Sequence, residues 1–178
     1  KMDIVIGVPS GRSDFFGNAI TRNVRREFAS SKKIINPKGL PLVGKPTNFI
    51  GAVGAFNFDV SLSKDILKAN ETSQVKVTVS GKGNLKLFEL PTVTTPAELE
   101  MYQPERKERV RVNANGISGS VTDTYTVVPQ YKGKYKIPSD SFSYFNPKEE
   151  EYKTIATEDF FVDVQEGKEL VVLDTTSV

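Results

Sequence analysis

The sequence predicts an all-β protein, and three observations carry that prediction. Apolar side chains recur at every second position rather than every third or fourth. The runs in which they do so are rich in Val, Thr, Tyr and Phe, residues that fit a pleated, half-buried surface. Between the runs fall short clusters of Gly, Asn, Pro and Lys, which turn a chain back on itself.

Asp3 to Val8 reads as a strand, and Ile20 to Phe28 and Lys33 to Asn36 read as weaker ones. Pro37, Gly39, Pro41, Gly44 and Pro46 follow as a Pro/Gly-spaced connector, the composition of a domain boundary. Residues 1–46 are therefore expected to be the last strands of a truncated neighbouring domain plus a linker. Phe56, Phe58, Val60 and Leu62 then stand two apart, as do Val75, Val77 and Val79. Leu85 with Leu87, and Val110 with Val112, repeat the spacing, which puts each set on one buried strand face. Further strands are expected at Ser118 to Val128, Lys134 to Ile137, Ser141 to Phe145, Tyr152 to Thr157 and Phe160 to Val164. Turns are expected at Lys68 to Glu71, at Asn115-Gly116 and at Tyr131 to Gly133, with a hairpin or edge loop at Ser80 to Asn84. Asn146 to Glu151 reads as a polar hairpin tip. About eight short strands between residues 47 and 165 make an immunoglobulin-like β-sandwich of about 110 residues. Residues 166–178 read as a linker or tail.

One local pattern sharpens the prediction. Gly133-Lys134-Tyr135-Lys136-Ile137 has the form of a tyrosine corner, with Tyr135 two residues before a core position. Antibody domains place Cys at that core position, and here it is Ile137. The remaining alternative is an ordinary strand that begins with Tyr.

Composition narrows the chemistry. The 178 residues contain no His, no Cys and no Trp. That removes Ser-His and Cys-His nucleophiles, zinc sites of the usual kind and disulfides. Lys and Arg total 24 against 22 Asp and Glu, a net charge of +2, so the balance argues for no particular anionic partner. No apolar run approaches the ~20 residues of a membrane-spanning helix, and no signal peptide opens the sequence. The chain is therefore expected to be a fragment whose missing ends carried targeting and anchoring.

Several motifs resemble catalytic ones and do not meet their requirements. Ser80-Gly81-Lys82-Gly83-Asn84 has the wrong spacing for a phosphate loop, and a strand rather than a helix follows it. Ser61-Leu62-Ser63-Lys64 matches Ser-x-x-Lys, but on a strand Ser61 and Lys64 face opposite ways. Glu149, Glu150 and Glu151 lack the alternating oxygens and glycine of a calcium loop, and no facing carboxylate can be named for glycosidase chemistry. The basic segments Arg22 to Lys33 and Arg106 to Arg111 read as solvated strand faces with too few aromatics for nucleic acid. Asn70-Glu71-Thr72 is a glycosylation sequon, meaningful only in a eukaryotic secretory route. No enzyme activity and no metal or other cofactor is expected.

Read together, several segments resemble the BatD family of bacterial oxygen-tolerance proteins. The most specific are Phe49-Ile50-Gly51-Ala52-Val53-Gly54-Ala55-Phe56 and Phe142-Ser143-Tyr144-Phe145-Asn146-Pro147. Leu40-Pro41, Gly44-Lys45-Pro46, Ser80 to Asn84, Pro91, Pro96, Tyr102-Gln103-Pro104, Val128-Pro129 and Gly133 to Pro138 extend the match. The resemblance implies tandem immunoglobulin-like domains outside a bacterial cytoplasmic membrane, in the periplasm, followed by a membrane anchor. It also implies association with von Willebrand A-type membrane proteins and a MoxR-type ATPase in aerotolerance and stress. The family has no established catalytic residues to carry over. The expected function is a non-catalytic protein-protein interaction module. The alternative is a carbohydrate-binding or enzyme-accessory module using Tyr102, Tyr131 and Tyr144. An A-type domain grips a ligand carboxylate through a divalent cation, which makes Glu149, Glu150 and Glu151 the candidate partner contact. The competing reading is that they only keep a hairpin tip solvated and that binding uses a sheet edge instead.

Overall fold

A computed structural model describes residues 1–167, and every regular element among them is a strand. The chain divides into two compact units, Lys1–Leu40 and a second beginning at Pro41.

The first unit is a single antiparallel hairpin, β1 (Met2–Ser13) paired with β2 (Ala19–Phe28) in register Met2↔Phe28. Its turn is organised by Asp14, whose Oδ1 accepts the backbone N–H groups of Phe16 and Asn18 at 2.9 and 2.8 Å. Lys33 to Asn36, expected as a weak strand, pairs with nothing. Ile34 and Ile35 are adjacent and both exposed, and without a partner strand the segment has no ladder to join.

The second unit is an immunoglobulin-like β-sandwich. Its larger sheet comprises β3 (Gly54–Leu62), β5 (Ser73–Gly83), β6 (Leu99–Met101), β7 (Glu105–Asn113) and β8 (Gly116–Pro129). The order is β3-β5-β8, with β6 and β7 both pairing along the far side of β8. The facing layer holds β4 (Ile66–Lys68), β9 (Gly133–Ile137) and β12 (Phe160–Gln165) in the order β4-β12-β9. The hairpin of β10 (Ser141–Asn146) and β11 (Glu151–Ala156) completes it. The predicted alternation builds the core directly. Phe56, Phe58, Val60, Val75, Val77, Val79, Val121, Tyr125 and Val127 line the inner face of the large sheet. They meet Leu67, Ile137, Phe142, Tyr144, Val162 and Val164 across the sandwich.

Five local readings change. Leu85 is buried but Leu87 is exposed, because Asn84 turns the chain and no strand follows. Val112 is exposed at the end of β7, where the facing layer no longer covers it. Ser80 to Gly83 is not a hairpin or edge loop: it continues β5, paired on both sides, Gly83 with Gly54 and Gly81 with Gly119. β3 stops at Leu62, short of Lys64. β4 and β6 are short additional strands, β4 immediately before the expected Lys68 turn. The expected tail lies outside the described residues from 168 onward.

Pro41 to Val53, expected partly as connector, is stitched into the sandwich. The Pro41 carbonyl accepts the Tyr152 hydroxyl at 2.8 Å, and Val53 bridges Phe145. Asn48 donates to Ser141 Oγ at 3.0 Å and accepts from Ser143 Oγ at 2.7 Å.

Candidate functional site

The β10–β11 hairpin carries the three predicted glutamates at its tip. Asn146 pairs with Glu151, and Glu150 takes a positive φ of 54° between them, which bends the chain tightly. The carboxylates are not three equivalent reach-in groups. Glu149 forms a close ion pair with Lys153 and accepts from Asn146 Nδ2 at 2.9 Å. Glu151 lies 3.4 Å from the same ammonium. Lys153, with smaller contributions from Glu151 and Asn146, holds the Glu149 carboxyl below its ordinary range. Spacing alone could not show Lys153, because a tight hairpin turn folds β11 back so that its first lysine meets the tip.

The turn of this hairpin closes one side of a groove that the sequence did not reveal. Val53, Gly54, Gly83, Ile117 and Pro147 line an open, mostly apolar hollow of about 400 Å³, with Lys82 and Lys148 at its rim. Its floor depends on glycine. A Cβ on Gly83 would sit 2.3 Å from the Val53 carbonyl oxygen and 2.5 Å from Phe56 Cζ, and φ there is +158°. Gly54 opposite is equally constrained, at 2.3 Å from the Lys82 carbonyl oxygen. The neighbouring Asn84 clamps this end of the sandwich. It accepts the Val53 N–H at 2.7 Å and donates to the Gly51 carbonyl at 2.8 Å. The Ser-Gly-Lys-Gly-Asn block is thus a bare strand end with a clamp, and the glycine spacing was the signal available for it.

Tyr135 places its ring against the core, and its hydroxyl donates to the Tyr131 carbonyl at 2.8 Å, four residues upstream. Ile137, two residues on, is buried. Of the tyrosines suggested for sugar stacking, Tyr144 is buried while Tyr102 and Tyr131 are exposed.

Arg106 departs from the solvated-face expectation. It leans over the inner face from β7 while staying partly exposed, donating through Nε and Nη2 to the two oxygens of Asp123, each at 2.8 Å, and it also pairs with Glu89. The Asp123 hydrogen bonds raise the guanidinium further above its already high range, against a smaller opposing effect of burial. Asp123 occupies an inward position of β8 between Val121 and Tyr125, a charge inside an apolar column. No hydropathy pattern reveals such a residue as buried.

The Ser-x-x-Lys segment brings no nucleophile to a base: Ser61 is exposed on β3 opposite Lys76, while Lys64, beyond the end of that strand, has its Nζ bound to Glu71 at 2.6 Å. Among the described residues no three His, Cys, Asp or Glu side chains gather where they could hold a metal ion, and no helix is long and apolar enough to cross a membrane.

The two sequence blocks that carried the family resemblance meet in space. Phe56 packs edge-on against Phe142 and Tyr144, and the Phe145 N–H donates to the Ala52 carbonyl at 2.9 Å. Comparison with known proteins agrees with that reading. A family model described as the BatD DUF11 like domain matches residues 60–164, from the end of β3 to β12. No curated protein and no solved structure matches. With more than half of its length matched, the chain belongs to the BatD family and is a module of a BatD-like envelope protein.

Proposed function

We propose that this chain is a non-catalytic protein-protein interaction module from the extracytoplasmic part of a membrane-anchored protein. In this reading it works with von Willebrand A-type membrane proteins and a MoxR-type ATPase in aerotolerance and stress. The observation that carries the proposal is the apolar groove beside the acidic hairpin tip. Sandwiches offer loops and strand ends on a rigid frame, and an open apolar hollow with a charged rim suits a partner's side chain. The tip adds carboxylates on a projecting turn, where a cation held by an A-type domain can be reached without disturbing the core.

The test is binding of the partner's A-type domain to this module with magnesium and with chelator. Replacing Glu149, Glu150 and Glu151 by Gln keeps size and removes charge. Ala55→Arg fills the groove from its exposed edge. The proposal expects the first variant to lose magnesium-dependent affinity and the second to weaken binding at least about tenfold, about 1.4 kcal/mol. Equal binding by both variants and wild type would reject this end of the sandwich as the contact.

A further inference from the structure

The far edge of the large sheet differs from the groove end. Strand β7 runs Glu105–Asn113 and pairs only with β8 among the described strands, in unbroken register from Glu105↔Thr124 to Asn113↔Gly116. It contains no Pro, Gly or bulge, so about 30 Å of regular strand edge is left with unused backbone donors and acceptors. Its side chains divide by parity. Those facing inward are already matched, Arg106 by Asp123 and Glu89, and Glu108 by Lys86 at 3.8 Å. Those facing outward are Glu105 at the start of the strand, then Lys107, Arg109 and Arg111, and Asn113 at its end; the three cations are all exposed, and none of them forms an ion pair among the described residues. Beside them β8 presents only neutral hydroxyls, Thr122, Ser120 and Ser118 in register. Lys107 and Arg109, with Glu105 at one end, thus line a shallow polar hollow of about 410 Å³ whose further wall carries Lys76, so its cations outnumber its carboxylates three to one.

We propose that β7 is a docking edge for an extended acidic segment of a partner protein, which adds to the sheet as one more strand. Three cations at every second residue are spaced about 6.8 Å apart, the side-chain repeat of a strand. An added strand with Glu or Asp at alternate positions sets each carboxylate opposite one cation, at the separation where cross-strand pairs interact. Backbone pairing supplies affinity and the charges supply register and choice of partner. Edge charges also guard sheets against indiscriminate pairing. A guard that repels generic strands still admits a complementary one, so the two roles are separated by an acidic probe. The inference rests on the interaction-module reading but uses a different surface from the groove, so either can fail alone.

The probe is a labelled synthetic peptide of about nine residues, matching β7 in length, with Glu at every second position and Thr or Val between. Controls have the same composition with the Glu residues clustered, or Lys in place of Glu. The wild-type chain is expected to bind the alternating acidic peptide and to gain hydrogen-exchange protection along β7. The triple change Lys107→Gln, Arg109→Gln and Arg111→Gln should weaken binding about tenfold or more, the sum of three cross-strand pairs. Reversal of all three to Glu should switch preference to the lysine peptide. All three side chains are exposed, so thermal unfolding of these variants should match wild type. Equal binding by wild type and the Gln variant, equal binding of the clustered peptide, or binding without new protection on β7 would overturn the proposal. So would a dimer of the chain formed through β7 without peptide. Co-sedimentation with phosphatidylglycerol vesicles that the Gln variant loses would equally reassign the cations to a lipid surface.

Discussion

Arg106 meets Asp123 through two parallel 2.8 Å hydrogen bonds, and the pair sits in register across β7 and β8. The aspartate side chain is 3% exposed and the arginine 35%, so one end of the bridge is dry and the other wet. The arginine carries its charge to solvent and to Glu89, while Asp123 depends on it entirely. Arg106→Ala is therefore expected to destabilise the fold by about 3 kcal/mol or more, as uncompensated buried charges do. Arg106→Leu combined with Asp123→Val should recover most of that loss. Urea denaturation of the single and double variants measures the coupling, and additive effects would show that the bridge is incidental.

The tyrosine corner makes a graded prediction. Tyr135→Phe removes only the hydrogen bond to the Tyr131 carbonyl and should cost about 1 kcal/mol. Tyr135→Ala also removes a ring packed against the core and should cost about 3 kcal/mol. Chemical denaturation that finds the two variants equal would assign the whole effect to the hydroxyl.

Gly83→Ala drives a methyl group into the Val53 carbonyl and the Phe56 ring at a φ that other residues avoid. A loss of about 2–3 kcal/mol is expected. Gly39→Ala meets no atom within 4 Å and serves as the neutral control. Melting temperatures of the two variants are the measurement, and an unchanged value for Gly83→Ala would contradict the close packing at the groove floor.

Asp140 lies before β10 with Oδ1 accepting the Ser141 N–H at 2.7 Å and Oδ2 buried without a protein partner. Burial pushes its carboxyl above the ordinary range, against the smaller opposing effect of that N–H. Between the unfolded value and the raised folded one, the folded state therefore holds a proton that the unfolded chain has already released. Its contribution to stability is fully present below the unfolded value and is lost as pH rises through the raised folded one. Asp140→Asn has no proton to lose, so its stability relative to wild type should improve as pH rises from about 3 to about 7. Parallel stability-pH curves for the two proteins would refute this.

Much of the fold was legible in the sequence because a strand's period of two is a local property. Alternation at Phe56 to Leu62 and Val75 to Val79 shows both that strands form and which face they bury, with no knowledge of what lies opposite. Tyr135 and Ile137 were visible for the same reason, since a corner hydrogen bond spans only four residues. The acidic tip was placed correctly between Phe145 and Tyr152, but its pairing with Lys153 was not, because that contact exists only once the turn closes.

What required tertiary structure has one physical cause: the sequence does not state which strand lies beside or across from which. Leu87 and Val112 have apolar side chains at strand spacing and are exposed because nothing covers them. Asp123 and Arg106 are charged and turn inward because the register of β7 on β8 brings them face to face. Gly81 and Gly83 look like loop residues, and pairing with Gly119 and Gly54 makes them strand. The sequence by itself determined an all-β sandwich, its main strands and its family. Strand neighbours decided which charges are neutralised within the sheet, which remain on the free edge of β7, and where the apolar groove opens.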